Sequence, residues 1–146
     1  MMKPLLANWQ FWAVLSAAFA ALTAIFAKIG VANVGSDFAT FIRTVVILLA
    51  IAGMLTLTGG WHGMGTVSPR SGLFLVLSGL ATGASWLCYF RALQLGDASR
   101  VAPIDKLSVV LVALFAALFL GERLTVTGWA GVALIGTGAV LIATGL

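Results

Sequence analysis

Apolar residues occur in five long runs, separated by short polar or glycine-containing segments. A membrane-spanning helix needs about 20 mainly apolar residues, because each residue adds about 1.5 Å of rise. Each run meets this length. The pattern therefore predicts five transmembrane helices, over residues 9–27, 38–58, 72–95, 101–120 and 127–146. The longest connection, residues 59–71, is rich in glycine, serine and proline and predicts a plain loop.

Composition agrees with this pattern. Hydrophobic residues make up 62% of the chain and charged residues only 8%, whereas soluble domains carry roughly 25% charged residues. We therefore predict an all-α integral membrane protein of the cell (plasma or inner) membrane, with residues 1–146 as a single five-helix domain. The net charge of +4 is no argument for a nucleic-acid partner, because lysine and arginine in such a protein report topology and contact with membrane lipids.

Residue types that carry covalent chemistry are sparse. Cys88 is the one cysteine and His62 the one histidine, so no disulfide and no metal cluster is expected. The loop glycines of residues 59–65 are not followed by the Lys-Ser or Lys-Thr of a phosphate-binding loop. The sequence predicts neither an enzyme nor a bound cofactor.

Four ionisable side chains lie inside the predicted spans: Arg43, Arg91, Asp105 and Lys106. Such a charge costs at least about 2.5 kcal/mol at mid-membrane, so it usually faces the bundle interior or a wet cavity. Arg91 and Asp105 are about equally far from the turn that joins their helices and should lie at similar depth, which predicts an ion pair. We also hypothesise that Arg43 and Lys106 bias a vestibule toward anionic or carboxylate-bearing groups. The alternative is that all four charges pair or extend to lipid headgroups.

Aromatic side chains give a second candidate binding surface. Trp86 and Tyr89 are three residues apart and share a helical face, which suits an amphiphilic ligand. Ordinary aromatic core packing is the competing interpretation. Arg91 points away from Tyr89, so both cannot line one cavity from a straight helix. The candidate substrate-binding residues are Arg43, Trp86, Tyr89, Arg91, Asp105 and Lys106.

Glycine is concentrated in the last helix. Small residues let helices approach closely in lipid and drive their association. Gly128, Gly131 and Gly138 are therefore the candidate contacts with another subunit.

The distribution of lysine and arginine leaves the orientation open. Five spans place the termini on opposite sides of the membrane. The side that holds the connections after the first and third helices has Lys28, Arg43, Arg91, Arg100 and Lys106, and the other side has Lys3, Arg70 and Arg123. Without the charges inside helices, the second side leads by one. So weak a bias permits insertion in both orientations. It also fits a single orientation, because the positive-inside rule is noisy for short loops.

Four motifs in order carry a family resemblance: Tyr-Phe-Arg-Ala-Leu at 89–93, Gly-Asp-Ala-Ser-Arg-Val-Ala-Pro at 96–103, Leu-Gly-Glu-Arg-Leu-Thr at 120–125, and Gly-x-x-Leu-Ile-x-x-Gly at 131–138. Together they resemble an EamA-type domain of the drug/metabolite transporter superfamily, in its short, five-helix, single-domain branch. Longer members carry two such units as inverted repeats, with ten helices and a substrate cavity between the halves. The resemblance implies that this chain is equivalent to one half.

That resemblance implies a transporter or exporter of a small organic metabolite that works by alternating access. Two copies inserted in opposite orientations reproduce an inverted repeat, so an antiparallel homodimer with dual topology is expected. The pattern at 131–138 is similar to the dimerising helix of small multidrug transporters. Those relatives use a glutamate in helix one for proton coupling, which is absent here, so export of cationic drugs is not expected. The rival interpretation is a non-transporting membrane subunit or lipid-binding scaffold that reuses the fold.

Overall fold

The computed structural model describes residues 8–145, so Lys3 and Leu146 lie outside the described residues. The described chain is helical: α1 (Trp9–Gly30), α2 (Ser36–Thr58), a 3₁₀ helix (Gly60–Thr66), α3 (Pro69–Leu95), α4 (Ala98–Asp105), α5 (Ser108–Phe115), a π-helical turn (Ala116–Leu120) and α6 (Val126–Thr144). Helices α4 and α5 and the π-helical turn form one span, Ala98–Leu120, and five segments are long and apolar enough to cross a membrane. The predicted all-α, five-span integral membrane fold is confirmed.

The helices pack as two compact units, and the first comprises α1 up to Lys28 together with residues 95–145. The ammonium group of Lys28 donates a 2.7 Å hydrogen bond to the carbonyl oxygen of Gly96, which fixes the end of α1 to the turn before α4. Helix α6 packs against α4 and α5. At Gly136 a Cβ atom would lie 3.3 Å from Val110 Cγ2, so the missing side chain allows close packing of α6 on α5.

The second unit comprises residues 29–94, with α2, the 3₁₀ helix and α3. Its most deeply buried large side chains are Val31, 1% exposed, and Leu93, 0% exposed. The side-chain amide of Gln94 donates a 3.1 Å hydrogen bond to the carbonyl oxygen of Val34. The end of α3 and the start of α2 therefore lie at one level. That residues 1–146 form a single domain stays a prediction.

Helix α3 begins earlier than predicted, at Pro69 instead of residue 72. The Ser68 hydroxyl oxygen accepts a 3.1 Å hydrogen bond from the Ser71 amide, so Ser68 is the N-cap. Proline is favoured at the first helical position, because its missing N–H needs no partner there. The predicted plain loop is also wrong in its first half, where residues 60–66 form the 3₁₀ helix and the Trp61 indole donates to the Thr56 hydroxyl at 3.1 Å.

The fourth span is interrupted, which the sequence did not predict. Helix α4 begins at Ala98, whereas the predicted start at residue 101 would have placed Pro103 in the first turn, so Pro103 lies in the second turn of α4. Proline cannot donate to the carbonyl four residues earlier, and its ring crowds that carbonyl. The helix ends at Asp105. The Leu107 amide bonds to the Ile104 carbonyl and the Val110 amide to the Leu107 carbonyl, both at 3.0 Å and both spanning only three residues.

Both ends of the last connection have a clear local cause. The π-helical turn stops at Gly121, whose φ of 69° lies in the left-handed region that favours glycine. Helix α6 then begins after Thr125, whose hydroxyl oxygen accepts a 3.1 Å hydrogen bond from the Gly128 amide. Glu122 lies in this exposed connection.

Candidate functional site

Helices α2 and α3 hold an arginine against aromatic rings. The guanidinium carbon of Arg43 lies 4.3 Å from the centroid of the Trp86 ring and 5.3 Å from that of Phe90. Trp86 and Phe90 are one turn apart on α3, so both rings face the same side of the helix. Both distances are within the range in which an aromatic face attracts a cation.

Tyr89 completes this group, which we call the arginine–aromatic cluster: Arg43, Trp86, Tyr89 and Phe90. The Tyr89 and Phe90 rings meet edge to face, with centroids 6.5 Å apart. Phe90 is buried, whereas the other three side chains are partly exposed. The structure thus brings together three of the candidate binding residues and adds Phe90. Its spacing of four from Trp86 was the signal that the sequence analysis missed.

No carboxylate neutralises Arg43 among residues 8–145. The ion pair that the structure records within that range joins Lys106 to Asp105. The acidic residue on α2, Asp37, accepts a 3.1 Å hydrogen bond from the Ser36 hydroxyl. The contacts that the structure records for Arg43 are therefore aromatic rings, inside a membrane span.

Arg91 has a different environment from Arg43. Its guanidinium donates a 2.9 Å hydrogen bond to the side-chain oxygen of Gln94, and Gln94 in turn donates to the Val34 carbonyl. This chain of bonds ties the end of α3 to the connection before α2. The geometry thus gives Arg91 a structural task, while its role in substrate binding stays a prediction.

Asp105 and Lys106 lie at the interruption of the fourth span. Their side chains form an ion pair at 3.1 Å, with 35% and 55% of the two side chains exposed. Lys106 falls between α4 and α5, where the backbone bonds tighten. The pair is thus placed on a discontinuous helix. The ion pair predicted between Arg91 and Asp105 stays a prediction, as do the binding roles of Asp105 and Lys106.

The three candidate interface glycines differ in their surroundings. A Cβ atom at Gly128 would lie 2.9 Å from Leu124 Cδ2, so Gly128 has a close neighbour within the chain at the start of α6, and its place in a subunit interface stays a prediction. At Gly131 and Gly138 a Cβ atom would meet no described atom within 4 Å. These two positions leave open space beside α6.

The first unit contains a shallow groove of about 510 Å³ between the fourth span and α6. Its lining is almost wholly apolar: Leu107, Val110, Val132, Ala133, Gly136, Thr137, Val140 and Leu141. A groove of this composition offers no site for a charged ligand. Within residues 8–145, no group of histidine, cysteine and acidic side chains could hold a metal ion.

Comparison with known proteins decides the family. The model of the EamA-like transporter family matches residues 7–144. The chain belongs to the EamA-like transporter family. The resemblance read from the four motifs is thereby confirmed, and the family is one of transporters.

A curated relative supports the same family. This EamA chain is 65% identical over 136 residues to a Sinorhizobium sp. protein named "Uncharacterized transporter in cobO 3'region". The match covers 93% of this chain and 96% of the relative. No solved structure matches the chain.

Proposed function

We propose that this EamA chain transports a small organic metabolite across the plasma or inner membrane by alternating access, as an antiparallel homodimer. The observation that carries the proposal is the family match over residues 7–144 together with five membrane spans. The family supports transport as such. Substrate, mechanism and assembly rest on the arguments that follow.

The odd number of spans supports the antiparallel arrangement. Two five-helix units related by an axis in the membrane plane form an inverted repeat, with the substrate site at their interface. A second copy in the opposite orientation supplies that repeat, whereas a parallel copy does not. The near balance of lysine and arginine between the two sides leaves both orientations open.

Helix α6 supports contact with a second copy. Gly131 and Gly138 are seven residues apart, so they lie on nearly the same helical face. Gly136, which packs toward Val110, is rotated from Gly131 by roughly 140° at about 100° per residue. The face with open glycines is therefore distinct from the face used inside the chain, and close helix packing at small residues fits it.

The interrupted fourth span supports a moving element. Transporters place substrate and coupling groups on discontinuous helices, whose breaks allow one half to rock against the other. Here Pro103 precedes a tightened turn that carries Asp105 and Lys106. We infer that this turn is the hinge and that the charged pair rearranges as it moves.

The scaffold alternative has one observation in its favour, the apolar groove of the first unit, because it fits a lipid tail better than a polar solute. An efflux experiment separates the two functions. Liposomes that contain the purified chain are loaded with a cell metabolite extract, and released compounds are identified by mass spectrometry. Transport requires at least one compound to leave faster than from protein-free liposomes. Equal release of all compounds would favour the scaffold.

Labelling of the two termini tests the assembly. Single cysteines are added before Met1 or after Leu146 in a Cys88→Ala background and labelled from outside intact cells. Partial labelling of each terminus supports two orientations and the antiparallel dimer. Labelling of one terminus alone overturns the antiparallel dimer, while the efflux result still decides transport.

A further inference from the structure

The planar guanidinium of Arg43 is only partly satisfied by its surroundings. The guanidinium carbon lies over the Trp86 ring, 4.3 Å from its centroid. A cation–π contact is not a hydrogen bond to an acceptor, so the N–H groups of Arg43 can still donate. A guanidinium has five N–H donors and no acceptor. Among residues 8–145, no hydrogen-bond acceptor is recorded for these donors.

The cluster lies well below the end of its helices. The bond from Gln94 to Val34 joins the end of α3 to the connection before α2 and marks one level. Trp86 precedes Gln94 by eight residues, which is about 12 Å of helix. Arg43 follows Ser36, the first residue of α2, by seven residues, or about 10 Å. A charge at this depth faces a cavity or a partner rather than lipid tails.

The geometry selects the chemistry of a partner. Edge N–H groups of a guanidinium bind two oxygens of a carboxylate or phosphate in one plane, which is the strongest hydrogen-bond arrangement open to arginine. The partly exposed rings of Trp86 and Tyr89 beside it provide apolar surface for the remainder of the ligand. A cationic group is disfavoured because it would meet the like charge of Arg43.

The structure assigns to the arginine–aromatic cluster the binding of an oxyanion, namely the carboxylate of a small organic solute whose planar apolar part lies on Trp86 and Tyr89. That the bound solute is also transported rests on the proposed function. The site itself rests on the contacts of Arg43 alone. Lipid headgroups carry the same kind of oxyanion, and the experiment below distinguishes a headgroup from a soluble carboxylate.

The test uses Trp86 as its own reporter. In a chain with Trp9, Trp12, Trp61 and Trp129 replaced by phenylalanine, fluorescence of Trp86 is measured in phosphatidylcholine nanodiscs. Benzoate, benzamide and benzamidine are the probes, since they share a ring and differ in charge. We expect saturable quenching by benzoate, with affinities for the other two at least about tenfold weaker, because a charge-assisted hydrogen bond is lost.

Variants of the cluster sharpen the result. Arg43→Gln removes the charge and should weaken benzoate binding at least about tenfold, while Arg43→Lys keeps the charge, loses the two-point contact and should weaken it less. Arg70→Gln is the matched control. It lies at the other end of α3, is exposed and should leave the titration unchanged. Circular dichroism confirms that each variant is folded.

Three outcomes overturn the assignment: equal binding of benzamidine and benzoate, unchanged benzoate binding in both Arg43 variants, or a Trp86 response to added phosphatidylglycerol without one to benzoate. The last outcome places a lipid headgroup at Arg43. Failure here leaves transport intact if metabolites still leave the loaded liposomes. Conversely, if benzoate binds but no metabolite leaves the liposomes, the binding site is supported and the proposed transport function is refuted.

Discussion

Replacing Pro103 with alanine should stabilise the protein and restrict its fourth span. Pro103 is the sixth residue of α4, so an alanine there supplies an amide that can donate to the Ser99 carbonyl. One such hydrogen bond contributes about 1 kcal/mol net, and proline in a helix interior costs up to about 3 kcal/mol relative to alanine. We therefore expect Pro103→Ala to raise the free energy of unfolding by about 1–3 kcal/mol.

Two measurements check this expectation. Unfolding by sodium dodecyl sulfate in mixed micelles gives the change in stability, and hydrogen exchange at the Leu107 and Val110 amides reports local opening. Pro69→Ala is the control, because Pro69 occupies the first helical position, where no amide partner is needed. Equal stability of Pro103→Ala and the native chain, with unchanged exchange, would show that proline does not cause the interruption. If the tightened turn is the hinge, the same variant also slows metabolite release while being more stable.

Two further substitutions test the packing. Leu93 is fully buried, yet Leu93→Ala should lower the free energy of unfolding by only about 1–2 kcal/mol in the same assay. The unfolded helix is still surrounded by lipid, so little is lost from transfer of the side chain out of water, and the cost comes mainly from the cavity left behind. Leu87→Ala, at an exposed position, is the control, and a cost for Leu93→Ala above about 4 kcal/mol would contradict this reasoning. Gly136→Val should cost about 1–3 kcal/mol by overpacking against Val110, whereas Gly138→Val, which meets no described atom, should keep the stability and lower the dimer fraction in cross-linking. If instead Gly136→Val lowers the dimer fraction and Gly138→Val lowers the stability, the subunit interface lies at Gly136.

The spans were predictable from sequence because a helix that crosses the bilayer needs only one property, about 20 apolar residues in a row. Their ends follow weaker, local rules. The start of α3 depends on Ser68 as N-cap and Pro69 at the first position, a pair that the apolar pattern does not contain. Hydrophobicity marked where α3 enters the apolar layer, whereas capping decided where the helix begins.

The interruption of the fourth span shows a different limit. Pro103 was visible in the sequence, but its effect depends on where the helix starts. In the first turn proline is harmless, and in the second it removes a hydrogen bond. A shift of three residues at the start, from Val101 to Ala98, therefore changes a regular helix into a broken one.

The candidate site was predictable only in part. Depth in the membrane and unpaired charge identified Arg43, and helical spacing identified Trp86. Which ring lies beside which cation depends on the rotation of α2 against α3, and hydrophobicity does not encode this rotation when almost every face is apolar. Phe90 was missed for this reason. For Arg91, the contact with Gln94 has the three-residue spacing of neighbours on one helical face, a signal that the analysis of the sequence did not use.

The contact of Arg43 with Trp86 also has a consequence for biosynthesis. Trp86 follows Arg43 by 43 positions, so at about 5–20 residues per second the arginine emerges from the ribosome roughly 2–9 s before its aromatic partner emerges. During that interval α2 must enter the bilayer with an uncompensated cation, at a penalty of about 2.5–3.5 kcal/mol. Within the span Ser36–Thr58 an 18-residue window has a mean hydropathy of 2.2, the highest such value of the five spans. The surplus of apolar residues around Arg43 lets this helix partition into the membrane by itself, before α3 is inserted.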